Sequence, residues 1–232
     1  MKNTILIDNR FCTSCNTCLY KCVQENRVHE PGKRGLFRTF VYLKDEGQYH
    51  KRCMHCKEPS CVAVCPVQAL TKSAYGPVLY DPAICIGCQQ CVGACPFNIP
   101  QYDAATTKIV KCSLCAHRIT ENKEPACVEA CPTSALLFGE YDEMLARAKE
   151  LAAAHKLNLY GIEENGGTHV LILTAEKPAV LGYPKVGNRS VPPKKTSKTS
   201  QSSLPLIAGL TLAGFKKFSD RRAKIEAEEA EE

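Results

Sequence analysis

The chain has 232 residues, a formal net charge of +6 and 44% hydrophobic residues, which suits one large domain or two small ones. Aromatic residues make up only 7% and tryptophan is absent. No basic helix or basic patch interleaved with aromatic residues stands out, so the charge does not indicate nucleic-acid binding. Sixteen cysteines are far more than ordinary use and indicate either disulfides or metal.

The chain begins with a short apolar stretch that leads directly to the first cysteines. Residues 4–8 predict a strand, and the segment before Cys12 is too short for the apolar core of a signal peptide. No twin-arginine run occurs there either. We therefore expect a cytoplasmic protein, or one that crosses a membrane already folded on a partner that carries the signal.

The sixteen cysteines form four motifs of four, with none left over. They are motif I, Cys12-x2-Cys15-x2-Cys18-x3-Cys22; motif II, Cys53-x2-Cys56-x4-Cys61-x3-Cys65; motif III, Cys85-x2-Cys88-x2-Cys91-x3-Cys95; and motif IV, Cys112-x2-Cys115-x11-Cys127-x3-Cys131. A proline follows motifs II, III and IV, as in the ferredoxin pattern for [4Fe–4S] clusters. The alternatives are zinc and disulfides. Zinc is less favoured, because a zinc site usually takes two separated cysteine pairs.

The segments between the motifs indicate how the motifs pair. Residues 24–35 are polar and predict a loop, and residues 36–43 predict a strand. Residues 67–81 predict a hairpin that turns near Gly76 and Pro77. Motif, hairpin and motif is the arrangement of a two-cluster ferredoxin, so motifs II and III pair, and motifs I and IV pair by elimination. The alternative pairing, I with II and III with IV, would split the hairpin unit.

In the ferredoxin pattern the fourth cysteine usually ligates the neighbouring cluster, and this rule predicts four [4Fe–4S] clusters. Their ligands are Cys12, Cys15, Cys18 and Cys131; Cys22, Cys112, Cys115 and Cys127; Cys53, Cys56, Cys61 and Cys95; and Cys65, Cys85, Cys88 and Cys91. Four protein thiolates leave no iron open to a substrate. Since no dinucleotide fingerprint, phosphate loop or nucleophile–base pair is visible, the chain is expected to move single electrons and not to be catalytic.

Six basic side chains lie in or beside the motifs and could raise the cluster potentials. They are Arg52, His55, Lys57, Lys111, His117 and Arg118. For each of them a solvated charge or a local hydrogen bond is the expected role. The two histidines are expected beside the clusters and not as ligands, because the cysteine count is complete.

The chain beyond motif IV predicts a helix, a strand and a long polar segment. Residues 140–155 predict an amphipathic helix whose apolar face is Met144, Leu145, Ala148, Leu151 and Ala152. This face either docks a partner or packs on the chain's own outer ferredoxin unit. Residues 168–174 predict a buried strand, and residues 184–203 a flexible basic linker.

Residues 204–215 are an uncharged apolar run, shorter than the roughly 20 residues that a spanning helix needs. We expect this run to associate with a membrane or with a membrane subunit. Cationic residues follow it, and such residues tend to stay on the cytoplasmic side. If the run inserts, the cysteine motifs therefore lie outside the cytoplasm.

These elements predict an α+β fold of two nested bacterial-ferredoxin-like units with a C-terminal helix and strand extension and a short apolar tail. The predicted parts are residues 1–49 with 101–139 as the outer unit, 50–100 as the inner unit, 140–183 as a docking extension, 184–203 as the linker, 204–219 as the apolar segment and 220–232 as a charged tail.

The four-motif layout resembles the iron–sulfur (beta) subunits of complex iron–sulfur molybdoenzymes over residues 4–183, and most of all those of membrane-bound formate dehydrogenases and [NiFe] hydrogenases. The stretches that carry the resemblance are Cys53-Met-His-Cys56, Cys85-Ile-Gly-Cys88, Gly93-Ala-Cys95-Pro-Phe-Asn-Ile-Pro100, Lys111-Cys-Ser-Leu-Cys115, Glu124-Pro-Ala-Cys-Val-Glu-Ala-Cys-Pro132, Gly166-Gly-Thr-His-Val170 and Leu181-Gly-Tyr-Pro184.

The resemblance implies an electron relay from a molybdenum or tungsten pterin subunit, or from a hydrogenase, to a membrane quinone or cytochrome subunit. It also implies export in the folded state with a signal-bearing catalytic partner, and hence an extracytoplasmic location, with the cytoplasmic face as the alternative. The chain departs from the family in its short apolar run and in a shorter loop between motifs I and II. The competing hypotheses are a free cytoplasmic polyferredoxin and a zinc-binding interaction module.

Overall fold

A computed structural model describes residues 2–26 and 36–188, which belong to one compact unit of residues 1–193. Ten strands are described: β1 Asn3–Asp8, β2 Thr39–Lys44, β3 Gly47–Arg52, β4 Leu70–Lys72, β5 Val78–Tyr80, β6 Gln101–Asp103, β7 Lys108–Val110, β8 Leu136–Glu140, β9 Asn158–Tyr160 and β10 Val170–Thr174. The α-helices described are α1 Thr17–Asn26, α2 Ser60–Ala63, α3 Gln90–Ala94, α4 Ala116–Ile119, α5 Ala126–Glu129, α6 Tyr141–His155 and α7 Pro178–Leu181.

The expected apolar segment 204–219 and charged tail 220–232 lie outside the described residues, as does the linker beyond residue 188. Within residues 2–26 and 36–188, no helix has the length and the apolar character that crossing a membrane requires.

The largest sheet has four strands in the order β8, β1, β10, β9. β1 runs antiparallel to β8 and parallel to β10, with Ile5 opposite Val170. The predicted strand at residues 168–174 is confirmed as β10, and every residue of β10 is buried. A strand is buried this completely when both faces of its sheet are covered.

One face of this sheet packs on α6. Leu6, Leu171 and Leu173 lie in one apolar cluster with Met144 and Ala148 of the helix. The predicted amphipathic helix is confirmed, and its predicted apolar face is the face that the chain's own sheet covers. A docking role for the extension 140–183 therefore stays a prediction for its outer surface.

The other face of the sheet packs on the cysteine motifs. Ile5, Ile7, Val170 and Ile172 belong to a second apolar cluster that also contains or contacts cysteines of all four motifs. Adjacent strand residues thus point to opposite layers, as the period of two requires. The sheet is a wall with a helix on one side and the metal-binding loops on the other.

Three two-stranded hairpins surround the cysteine loops: β2–β3, β4–β5 and β6–β7. The predicted hairpin at residues 67–81 is confirmed as β4–β5, and the strand predicted at residues 36–43 is β2. A strand precedes each motif by a few residues, and a helix carries its third cysteine. Each motif is therefore a loop held between a strand and a helix.

The helix of motif I is longer than those of the other motifs. The loop predicted for residues 24–35 is wrong at its start, because α1 continues to Asn26; residues 27–35 lie outside the described part. The physical reason is Val23, which stands where motifs II, III and IV have proline. Proline cannot continue a helix, since it lacks the N–H and clashes with the preceding turn.

Candidate metal centres

The four Cys-x2-Cys segments share one backbone conformation. The residue before the second cysteine is left-handed in each motif, with φ of 57° at Ser14, 49° at His55, 69° at Gly87 and 56° at Leu114. Such a turn points successive backbone N–H groups to one side, which favours a bound anion. Glycine occupies this position only in motif III, so the sequence does not reveal the pattern.

Cysteines of motifs I and IV line one cavity, here called the I–IV cavity, which has about 300 Å³ of space free of protein atoms. Its lining consists of Cys22, Asn26, Arg38, Thr39, Arg52, Cys112, Ser113, Leu114, Cys115, Pro125 and Cys127. The contact between α1 and α5 brings these two motifs together. Four thiols from two distant motifs thus face one space.

Cysteines of motifs II and III line a second cavity, the II–III cavity, with about 320 Å³ of such space. Its lining consists of Cys65, Val67, Ala69, Leu70, Tyr80, Cys85, Ile86, Cys88, Gln89, Cys91 and Ile109. Here the contact between α2 and α3 joins the two motifs. None of these lining residues is Lys or Arg, whereas Arg38 and Arg52 line the I–IV cavity.

The remaining cysteines are close enough to influence one another electrostatically. Burial raises the pKa of the Cys12 thiol, and Cys131 and Cys15 raise it further. Burial and Cys53 raise the pKa of Cys56 to about 12, and Cys95 adds to this effect. In both groups the last cysteine of one motif therefore stands near the first cysteines of another.

Burial keeps most of these thiols protonated in the chain without metal. It raises the pKa of Cys18, Cys91 and Cys115 to about 11. A metal ligand must be a thiolate, so binding releases protons and supplies the charge compensation that the buried groups lack. Thiolates are the soft ligands that iron–sulfur clusters take, and the donor sets fit such clusters.

Arg52 is a buried basic side chain beside the cysteines, with 2% of its surface exposed. Its Nη2 donates to Cys127 Sγ at 3.5 Å, while Nε and Nη1 have no hydrogen-bond partner among the described residues. Burial opposes the charge, but Cys127 and Cys112 raise the pKa of Arg52 above its usual value. Of the two roles expected for Arg52, a solvated charge or a local hydrogen bond, burial excludes the first.

Lys111 and His55 are also buried, although both make local hydrogen bonds as predicted. Lys111 Nζ donates to the carbonyl oxygens of Val78 at 2.6 Å and Cys112 at 2.7 Å. The Val78 N–H donates to Nδ1 of His55 at 3.0 Å. The charge of Lys111 lowers the pKa of Cys53, against the larger opposing effect of burial.

The other three basic side chains serve structural contacts nearer the surface. His117 and Arg118 lie 3.0 and 2.9 Å from the Glu25 carboxylate and join α4 to α1. Lys57 stands over the Tyr141 ring, 4.2 Å from its centre. For these three residues the contacts agree with the expected roles, a solvated charge or a local hydrogen bond.

Residues 161–169 hold the first loop of motif II, a role that the sequence did not reveal. The Gly167 carbonyl accepts from the Lys57 N–H at 2.9 Å, and the His169 N–H donates to the Met54 carbonyl at 3.1 Å. A side-chain hydrogen bond from Asn165 lowers the pKa of Cys56, whereas burial raises it. In the sequence, the Gly-Gly-Thr-His-Val stretch carries part of the family resemblance, but it does not by itself indicate contact with motif II.

Among residues 2–26 and 36–188, no group of three or more His, Cys, Asp or Glu side chains is arranged to hold one metal ion.

Comparisons with known proteins also indicate an iron–sulfur protein. A family model described as a 4Fe-4S dicluster domain matches residues 48–141. The hydrogenase-2 operon protein HybA of Escherichia coli O157:H7 is 30% identical over 270 residues, which covers 90% of this chain and 82% of the relative. The iron–sulfur subunit of the nitrate-inducible formate dehydrogenase of E. coli K12 is 32% identical over 210 residues, with coverages of 78% and 71%.

A third relative comes from another enzyme system. The B subunit of the anaerobic dimethyl sulfoxide reductase of E. coli K12 is 36% identical over 163 residues, which covers 65% of this chain and 80% of the relative. The chain therefore belongs to the family of non-catalytic, electron-transferring iron–sulfur subunits of molybdoenzyme and hydrogenase complexes, and its cofactors are multiple [4Fe–4S] clusters.

Proposed function

We propose that this chain relays single electrons through four [4Fe–4S] clusters between a catalytic subunit and a membrane quinone or cytochrome subunit. When bound, each cluster accepts and releases one electron. The proposed ligand sets are Cys12, Cys15, Cys18 and Cys131; Cys22, Cys112, Cys115 and Cys127; Cys53, Cys56, Cys61 and Cys95; and Cys65, Cys85, Cys88 and Cys91.

The observation that carries this proposal is the composition of the two cavities. Cys22 of motif I faces the same space as three cysteines of motif IV, and Cys65 of motif II faces the same space as three cysteines of motif III. This supports the nested pairing, with residues 1–49 and 101–139 as an outer unit around 50–100. Pairing motif I with motif II would not bring these cysteines together.

Electrostatic interactions between cysteines of different sites support an order of the sites along the relay. Besides the larger effect of burial, Cys127 raises the pKa of Cys18, and Cys112 raises that of Cys53. These interactions link the first site to the second and the second to the third. The exposed cysteines Cys15 and Cys88 lie at the two proposed ends of the relay.

The proposed catalytic partner is a molybdenum or tungsten pterin subunit like that of formate dehydrogenase. The identity of 32% to a formate dehydrogenase iron–sulfur subunit supports it. A [NiFe] hydrogenase is the second candidate, since the match to a hydrogenase-2 operon protein covers 90% of this chain. The proposed membrane contact is residues 204–215, with the cysteine motifs on the extracytoplasmic face.

Purification of the native complex under anaerobic conditions tests the proposal. We expect about sixteen irons and sixteen acid-labile sulfides per chain, from four cubanes of four, and molybdenum or tungsten in the complex. Nickel instead would favour the hydrogenase assignment. A complex with none of these metals would overturn both partners, and a chain with zinc and no labile sulfide would overturn the electron relay.

A further inference from the structure

We propose that Arg38 and Arg52, here called the arginine pair, raise the reduction potential of the cluster in the I–IV cavity relative to that of the cluster in the II–III cavity. This inference rests on the proposed function, which assigns a [4Fe–4S] cluster to that cavity. It adds two positioning residues that are not ligands and that differ from anything at the II–III cavity.

The β2–β3 hairpin delivers both arginines to one place. Arg52 is the last residue of β3 and stands opposite Thr39, the first residue of β2. Arg38 directly precedes Thr39, so both side chains leave the same end of the hairpin. Asn16 holds this hairpin on motif I, since its side-chain amide bonds the Val41 N–H at 2.9 Å and the Val41 carbonyl at 3.1 Å.

Both guanidinium groups keep N–H donors for an acceptor inside the I–IV cavity. Nε of Arg38, like Nε and Nη1 of Arg52, is buried and has no hydrogen-bond partner in the described part of the chain. Arg38 Nη1 donates to Asn26 Oδ1 at 2.8 Å, and Asn26 Nδ2 reaches Cys22 Sγ at 3.6 Å. Buried donors without acceptors are costly, and sulfur acceptors of a cluster in this cavity would satisfy them.

The charge of the arginine pair acts in the direction of a higher potential. A guanidinium stays protonated at any ordinary pH. Reduction adds one electron and no other atom, so the reduced state is more negative by one charge. A positive charge in a poorly solvated site stabilises that state, and hydrogen bonds to sulfur act in the same direction.

The II–III cavity offers the internal contrast. Among its lining residues none is Lys or Arg, and Tyr80 and Gln89 are its only residues with polar side chains other than cysteine. Lys108 donates to the Cys85 carbonyl oxygen but does not line the cavity. We therefore expect the cluster of the I–IV cavity to be easier to reduce than that of the II–III cavity.

Redox titration of the full-length, iron-loaded chain, followed by electron paramagnetic resonance, tests the inference. The variants are Arg38→Gln, Arg52→Gln and the charge-keeping Arg52→Lys, with Arg147→Gln on the exposed side of α6 as the matched control. We expect each glutamine variant in the pair to lower the reduction constant of one spectral component about tenfold, which is about 59 mV for one electron. Arg52→Lys should lower it less, and Arg147→Gln should leave all components in place.

The moved component should be the one that Cys22→Ser removes. Loss of iron in Arg52→Gln would leave Arg38→Gln and Arg52→Lys to decide. Unchanged potentials in Arg38→Gln with full iron content, or a shift confined to the component that Cys88→Ser removes, would overturn the inference. Absence of any iron–sulfur signal in the unmodified chain would instead overturn the proposed function.

Discussion

Gly87 shows how a single residue sets the shape of a cysteine loop. It lies between Cys85 and Cys88 with φ of 69°, and a Cβ there would stand 2.4 Å from the Thr107 carbonyl oxygen. The space excludes a side chain here, whereas Ser14, His55 and Leu114 adopt the same left-handed conformation in the other motifs. Gly93, in the same motif, has no positive φ and would meet nothing within 4 Å.

We predict that Gly87→Ala disrupts the site at the II–III cavity, whereas Gly93→Ala leaves it intact. Backbone strain of this kind costs about 1–3 kcal/mol, and the clash adds to it. Iron analysis of the loaded proteins should give about four irons fewer for Gly87→Ala than for the unmodified chain, one cubane's worth. Equal iron content in the two variants would contradict this account of the loop.

At this scale the sequence predicts ligands better than their surroundings. The cysteines are recognisable in the sequence because a cubane needs thiolates at fixed short spacings. The buried position of Arg52 is not recognisable, because a lone arginine next to a cysteine is ordinarily solvated. Its hydrogen-bond partner Cys127 lies 75 positions away along the chain, and no local pattern records that contact.

The two faces of the central sheet belong to different parts of the molecule at the scale of elements. Leu171 and Ile172 are neighbours in β10, and neither is exposed. Leu171 faces α6, and Ile172 faces the layer of cysteine loops. Equal truncations at the two positions therefore separate stability from metal retention.

We predict that Leu171→Ala and Ile172→Ala each lower the free energy of unfolding by about 2–5 kcal/mol, as buried aliphatic truncations do. Only Ile172→Ala should also speed the loss of iron, because the space left by the missing side-chain atoms lies beneath the cysteine loops. Denaturant unfolding and the rate of iron release to a chelator give the two readouts. Faster release in Leu171→Ala alone would show that the assignment of faces is reversed.

The elements themselves were predictable where one chain segment carries the whole signal. The helix at residues 141–155 has an apolar period of its own, and the hairpin at residues 70–80 has its own turn residues. The parallel pairing of β1 with β10 has no such signal, since Ile5 and Val170 lie at distant positions in the chain. Only packing of the whole unit decides it.

At the scale of the whole molecule, the described fold consists of two regions with different sources of stability. The four-stranded sheet and α6 share a conventional apolar core. The three two-stranded hairpins have little apolar core of their own, and an isolated hairpin is only marginally stable in water. Apart from Val41 in the cluster on the sheet and a small cluster of Leu70, Val78 and Ile109 with Cys91, the cysteine loops supply their order.

We predict that removing the iron leaves the sheet and α6 protected and releases the hairpins. Amide hydrogen exchange before and after anaerobic chelation should show lost protection in residues 39–52, 70–80 and 101–110. Protection in residues 136–140 and 170–174 should persist, because β8 pairs with the central strand β1 and β10 is buried throughout. Uniform loss across both regions would mean that the sheet also depends on the clusters.

The placement of β1 in the middle of its sheet has a consequence for synthesis. The ribosome makes β1 before every cysteine, yet both of its neighbours in the sheet, β8 and β10, are made after every cysteine. Closing so long a loop is entropically costly and slow. The wall behind the cysteine loops is thus completed only once all sixteen thiols have been made.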